Sequence, residues 1–444
     1  MSTHFFRPSR RAVLAYGGFA TVSGLLAACG SSGAGSSGGG SDANSIEMWA
    51  RGGATTADAY AEIVPALEEA TGVTVSFSTV DNFGQELQSR AQSKNLPDLW
   101  INDDVLLGTY QRQGLLREIT LGDYAEASGI DDARWAETQI DGGAYAVPYS
   151  RQTMVDCFRS DWLETLGLSV PTTWEEYVAF LDAAVSGDPD GDGSANTYGT
   201  NVAGTAKNGY LARWAMSYIW QGGGSLWTDN GDGTFTVDTT SEATVSAIRW
   251  IQDLFAVSGR VQPGALTADT SVSTPFFAEG KVGHTLTGPY QFSAMDEAPG
   301  KDLYVVAPAP VGPQGGTVLA EGENIYVSAG TEKLDAVNKV ISWFISEEGQ
   351  TTCMTNSKQP VVRVPVRSDM DAATIYDDER WGVVQDSLAN SSQAFPAVAD
   401  ASAIKQVIAE SLNTIVASPE QDPVNELENL KTELEDVFDE LGLL

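Results

Sequence analysis

Short apolar strands that alternate with amphipathic helices constrain this chain more than any other feature. Ile46 and Met48, then Val73, Val75 and Phe77, alternate with polar neighbours, as strands with one buried face require. Between them the spacing predicts a helix over residues 57–70 that stops at Thr71-Gly72, because glycine tolerates the left-handed turn that ends a helix. Leu99-Trp100-Ile101 reads as a short buried strand after Pro97-Asp98. Thr173-Trp174-Glu175-Glu176 reads as a capping box, with Thr173 capping a helix and Glu176 reaching back. The stripe of that helix is Trp174, Tyr177, Val178 and Leu181. Further helices carry Val337, Val340, Ile341, Phe344 and Ile345, and then Leu427, Leu430, Leu434, Val437, Phe438 and Leu441. This alternation predicts an α/β fold with mostly parallel sheets, and no internal repeat is apparent.

The N-terminus follows different rules. Arg7, Arg10 and Arg11 form a basic start, and an apolar run over residues 12–28 ends in Leu26-Ala27-Ala28-Cys29. A basic start, a short apolar core and small residues before a cut mark a secretory signal. Cys29 after them resembles the lipobox of bacterial lipoproteins, in which the thiol is acylated and the chain is cut before the cysteine. For a retained membrane span the run is short, and Gly17, Gly18 and Gly24 weaken it. Residues 9–14 resemble a twin-arginine signal with Val13 where Phe is usual, which leaves the export route, Sec or twin-arginine, open. Residues 30–41 are nearly all Gly, Ser and Ala, a flexible tether that cannot bury apolar surface.

Cutting after residue 28 leaves 416 of the 444 residues, enough for two domains. It also removes three arginines, so the formal charge of −35 becomes −38. So acidic a surface repels phosphate backbones, and nucleic acid is not expected as a partner. Cys29 is consumed by lipid, which leaves Cys157 and Cys353 in an oxidising compartment, either paired or as two buried thiols. His4 leaves with the signal, and His284 is then the single histidine. Any Ser-His-Asp, Cys-His or multi-histidine metal chemistry would rest on it alone. Its strand-like setting, residues 281–286, reads as structural.

Several segments, in order, resemble the extracellular solute-binding proteins of ABC importers, in the group that contains maltose-binding protein. They are Pro97-Asp98-Leu99-Trp100 with Asn102-Asp103-Asp104, Tyr110 and Gly114-Leu115-Leu116; then Tyr145-Ala146-Val147-Pro148-Tyr149-Ser150; then Phe158 to Leu163, Gly167-Leu168 and Pro171 to Glu176. Phe277-Ala278-Glu279-Gly280-Lys281 before Thr287-Gly288-Pro289-Tyr290, and residues 340–349, complete the series. The resemblance implies a two-lobe periplasmic-binding-protein fold, type II, with a hinge and an interlobe cleft. Lobe 1 would hold residues 42–149 and 316–364, and lobe 2 residues 150–315 with the C-terminal helices of 365–444. Cys157 and Cys353 would then lie in separate lobes.

The implied function is that of a lipid-anchored, extracytoplasmic subunit that captures a mono- or oligosaccharide and delivers it to the permease as a monomer, with no catalysis. Sugar rings offer flat apolar faces to aromatics and hydroxyls to carboxylates and amides. Loops after strands would supply Trp49, Arg51, Asp81, Asn82, Asp103 and Asp104. The opposite lobe would supply Tyr149, Tyr210, Trp214, Trp220, Tyr290 and the pair Glu323-Asn324. Tyr290 stands at the family's sugar-stacking aromatic. Trp100, Trp250 and Trp343 read as core, and Trp162 and Trp174 as packing at helix ends. Arg51, Arg151 and Arg213 leave an acidic sugar open. No cofactor is required. Asp188, Asp190, Asp192 and Asn196 resemble positions 1, 3, 5 and 9 of a calcium loop, but position 12 is Gly199 in place of the bidentate Glu; the loop is either a solvated acidic turn or a structural Ca2+ site whose bidentate acid comes from elsewhere. The alternatives are a polyamine, metal or phosphorylated solute in the same fold, or a secreted glycoside hydrolase, which needs two carboxylates and no histidine.

Overall fold

Ile46, Met48 and Ala50 enter one core from the strand Ser45–Arg51, which pairs in parallel with Thr74–Val80 and Leu99–Asp103. The computed structural model describes residues 43–399 and 401–444; the signal segment, Cys29 and the tether lie outside the described residues. The helix between the first two strands spans Ala54–Thr71. Gly72 ends it at φ 68°, and its N–H donates to the Glu68 carbonyl at 2.9 Å.

Two sheets organise the described chain. In the larger, the strands run Val364–Pro365, Val147–Thr153, Val318–Val327, Leu99–Asp103, Ser45–Arg51, Thr74–Val80, with Ser392–Gln393 also paired to Val318–Val327. In the smaller they run Tyr304–Ala307, Val155–Arg159, Val282–Thr287, Tyr198–Asn201. Both sheets are mixed, which corrects the expectation of mostly parallel strands. Val318–Val327 is antiparallel to Leu99–Asp103 and to Val147–Thr153, because it brings the chain back to a sheet that Val147–Thr153 leaves. The outward crossing is abrupt: only Met154 separates a strand of the larger sheet from Val155–Arg159 of the smaller.

Helices cover both sheets. Leu334–Phe344 buries Val337, Val340, Ile341 and Phe344 beneath the larger sheet. On the other side Phe158, Tyr177, Leu181, Trp214, Ile248, Leu412 and Leu430 form a second core. There Val424–Glu440 buries Leu427, Leu430, Leu434 and Phe438. Thr173 caps Trp174–Ser186 by accepting from the Glu176 N–H at 3.2 Å. The return bond of the capping box falls one residue early, with Glu176 accepting from the Thr172 N–H at 2.8 Å.

Cys157 lies in the smaller sheet, and Cys353 lies in the helix Glu347–Met354, which packs beside the larger one. Both are free and buried, and burial pushes the Cys353 thiol up to about 12. His284 is fully buried in Val282–Thr287. Its Nε2 lies 2.7 Å from Asp156 Oδ1, and its Nδ1 lies 2.9 Å from Thr200 Oγ1 and 3.1 Å from the Tyr177 hydroxyl. The histidine thus ties two neighbouring strands to a helix. His284→Ala strips the buried Asp156 carboxylate of its partner, and we expect a loss of about 3 kcal/mol in denaturant unfolding. A loss below about 1 kcal/mol would show that the pair is dispensable.

Candidate functional site

The ends of the larger sheet's strands face the second lobe across a cleft with a central cavity of about 300 Å3. Arg51 ends the first strand, Asp103 ends the third, and Asp104 and Val105 follow it. Ser150 and Gln152 come from Val147–Thr153; Glu321, Gly322 and Glu323 come from Val318–Val327. The opposite wall holds Tyr210 and Arg213 of the helix Tyr210–Gln221, with Thr270, Tyr290 and Lys405. Arg363 completes the lining. A side pocket near Trp214 and Thr287 shares Tyr210, Arg213, Thr270 and Tyr290 with it. A groove of about 640 Å3 shares Arg51, Asp103, Val105 and Lys405, and runs out past Asp81 and Leu87.

Glycines make room for these side chains. A Cβ on Gly322 would come 2.6 Å from Asp104 Oδ2 and 2.7 Å from Arg151 Nη1. A Cβ on Gly288 would come 2.4 Å from the Tyr290 ring, so the glycine is what lets that ring lie back over the chain.

The charges are matched in pairs. Arg51 bonds Asp103 at 2.7 Å and stands 3.7 Å from Glu323. Arg363 reaches Glu323 at 3.1 Å. Arg213, from the second lobe, bonds Glu321 of the larger sheet, an ion pair that crosses the cleft. Glu321 holds the Arg213 guanidinium up. Burial pushes the Glu321 carboxyl up, yet Arg213 and Lys405 outweigh it and hold that carboxyl below its ordinary range. Burial pushes Asp104 up to about 6, against Arg151, which favours the charged form.

Of the residues the sequence points to, Arg51, Asp103, Asp104, Tyr210, Tyr290 and Glu323 line the central cavity. Asp81 lines the outer groove and Trp214 the side pocket. The others lie elsewhere. Tyr149 faces the core, where its hydroxyl meets that of Tyr60 at 3.2 Å and Cys353 Sγ at 3.4 Å; its neighbours Ser150 and Gln152 reach the cavity instead. Tyr149, Glu323 and Asn324 all belong to the larger sheet, not to the opposite lobe. Asn324 is buried beside Glu323, holding Arg151 Nη2 at 3.1 Å, because adjacent strand residues point to opposite faces. Trp49 sits two residues below Arg51, closed in by Phe83 and by the Arg90 guanidinium 5.0 Å from its ring. Asn82 precedes the helix Phe83–Gln92 and opens with Trp49 onto a separate shallow pocket. Trp220 is buried in the second core. Glu321, Arg363 and Lys405 are cavity residues that sequence reasoning missed. For Glu321 a signal existed, since it stands two residues before Glu323 and strand alternation puts both on one face.

The 188–196 loop lies outside the cleft. Carboxylate oxygens of Asp188, Asp190 and Asp192 come within 4.8 Å of one another, and Asp188 Oδ1 and Asn196 Oδ1 are shielded without a partner. Asp192, however, already accepts from the Ser194 N–H at 2.7 Å and from Asn196 Nδ2 at 2.8 Å. Lys281 stands 3.6 Å from Asp190, and Gly199, at the twelfth position, lies in a strand. The donor set therefore lacks the bidentate acid of a complete calcium loop.

Residues 62–380 match the family model of the bacterial extracellular solute-binding proteins. The chain belongs to that family. Lipoprotein LipO of Bacillus subtilis (strain 168) is 26% identical over 265 residues, covering 56% of this chain and 52% of LipO. The polygalacturonan/rhamnogalacturonan-binding protein YtcQ of the same organism is 25% identical over 233 residues, covering 50% of this chain and 45% of YtcQ. The chain thus spans about half the length of the curated relatives it matches. The GacH receptor of Streptomyces glaucescens GLA.O, solved unliganded and with acarbose, superposes with a TM-score of 0.74 at 21% identity, covering 89% of this chain and 98% of GacH. The fold is the type II, maltose-binding-protein-like one. No helix of the described residues is long and apolar enough to cross a membrane.

Asp104 gives this solute-binding protein a pH signature. A carboxyl raised from its unfolded value near 4 contributes most to stability below that value. The contribution is lost as pH rises through about 6. In ligand-free protein, Asp104→Asn should raise the thermal midpoint at neutral pH by about 2 °C, with the gain vanishing near pH 4. A gain that does not change with pH would contradict this assignment.

Proposed function

We propose that this protein is the lipid-anchored, extracytoplasmic binding subunit of an ABC importer, and that it captures a sugar in the cleft without transforming it. One observation carries the reading: the Tyr210 and Tyr290 rings share a cavity with arginine–carboxylate pairs. Rings stack on sugar faces, while fixed pairs give hydroxyls a donor and an acceptor side by side. The acarbose complex of GacH and the polygalacturonan/rhamnogalacturonan-binding protein YtcQ support it, since both are carbohydrate-binding proteins similar to this chain. Cys29 and the tether over residues 30–41 would hold the domain near its permease at high effective concentration. Arginines already engage Asp103, Glu321 and Glu323, which leaves a polyamine few free carboxylates and argues against it. Because Asp103, Glu321 and Glu323 are engaged by arginines, a hydrolase's pair of working carboxylates is also disfavoured. Calcium is not part of the proposal, since its donor set is incomplete.

A thermal-shift screen of the processed protein against mono- and oligosaccharides should find a sugar that raises the midpoint, because ligand stabilises the folded state by mass action. Tyr290→Ala should weaken that sugar about tenfold in titration calorimetry. A shift with a polyamine or iron and with no sugar would sink the reading. Cys29→Ala should release or misprocess the protein in cell fractionation and leave the affinity of the purified domain unchanged. Lost affinity would mean that anchor and cleft are not separable.

A further inference from the structure

The chain carries 60 acidic and 25 basic side chains, yet its central cavity is lined by four of each sign. The cavity walls are therefore far less acidic than the rest of the molecule. The partners can be counted. Arg51 holds Asp103, Arg363 holds Glu323, and Arg213 holds Glu321. The fourth carboxylate, Asp104, sits against the buried Arg151 at the cavity wall, the two meeting over Gly322. Lys405 is left over. It lines both the central cavity and the outer groove. Among the described residues its ammonium makes no salt bridge; it lies over the Phe395 ring, 5.8 Å from its centroid. Its place is fixed by tight packing: Gly209 takes φ +69°, and a Cβ there would lie 2.5 Å from Lys405 Cβ.

Lys405 feels Glu321 across the cavity, but that carboxylate is already bonded to Arg213, so the half-buried ammonium keeps donors free for an anion that a ligand brings. Stacking faces in the central cavity come from Tyr210 and Tyr290, so apolar contact covers only part of a ligand. We propose that the sugar captured here is acidic, a uronate-type oligosaccharide whose carboxylate pairs with Lys405 at the junction of cavity and groove. Its further units run out along the groove. This rests on the sugar-binding reading and narrows it to one chemical class.

The test is titration calorimetry of the processed protein. The probes are trimers of galacturonate, mannuronate and glucuronate, the neutral trimers maltotriose and cellotriose, and spermidine. A uronate trimer should bind more tightly than either neutral trimer, and its affinity should fall as salt rises from about 50 to 500 mM. Lys405→Met should weaken it about tenfold or more, Lys405→Arg should restore most of the loss, and circular dichroism should show both variants folded. Neutral trimers bound at least as tightly as every uronate, or a Lys405→Met variant with unchanged uronate affinity, would overturn the acidic assignment while leaving the sugar reading intact. Binding of spermidine with no sugar of either kind would overturn both.

Discussion

One strand, Val318–Val327, holds the cleft together. It is hydrogen-bonded on both edges, to Leu99–Asp103 and to Val147–Thr153, so its two faces cannot slip against the sheet. Ile325 and Val327 share a face with Glu321 and Glu323; the first two are locked in the core, and the strand carries the glutamates beyond that core to the cavity. The edge partners deliver Asp103 from one side and Ser150 with Gln152 from the other. A shift of one residue would put Asn324 and Tyr326 on that face and carry both glutamates to the other. The geometry of recognition is thus a by-product of how the larger sheet packs.

Ion pairs in such a place act less through net stability than through orientation. Exposed pairs contribute little, and buried ones offset most of their own desolvation. The network of Arg51, Asp103, Glu323 and Arg363 nonetheless fixes donors and acceptors before a ligand arrives, which reduces the ordering cost of binding. The pair Arg213–Glu321 differs because its members come from the two lobes. Any opening of the cleft must separate them, and ligand groups that reach either partner compete with it. Interlobe closure and recognition therefore draw on the same charges.

The sequence made the local rules readable. Gly72 as a helix stop and Thr173 as a cap depend on a few neighbouring residues, and both stand where the chain's chemistry puts them. Mixed strand direction was not readable, because it depends on where the chain returns. The same divide runs through the site. Arg51, Asp103 and Asp104 follow strand ends, and Tyr290 follows a Gly-Pro turn; local pattern places all four. Tyr149 and Asn324 were misplaced because each lies next in sequence to a cavity residue, and alternation sends neighbours to opposite faces. Lys405 lies beyond any local signal. Its helix, Ala401–Ala417, is ordered by the stripe Ile404, Ile408 and Leu412, and only long-range packing against Gly209 carries the lysine to the cleft.

That long-range placement bears on how so acidic a protein could take up an anion. Surface charge repels an anionic solute at distances near the Debye length, about 8–10 Å in physiological salt. Inside the cleft the matched pairs offset one another at short range, so an anion there would meet much less repulsion than at the outer surface. Cancellation is most complete where carboxylates and arginines touch, and that contact is what the strand Val318–Val327 enforces. A neutralised wall also leaves hydroxyl recognition intact, because each pair still offers a donor edge and an acceptor edge. Selection by charge and selection by sugar shape can thus be carried by one set of residues, with Lys405 supplying the first and the tyrosines and paired heads the second.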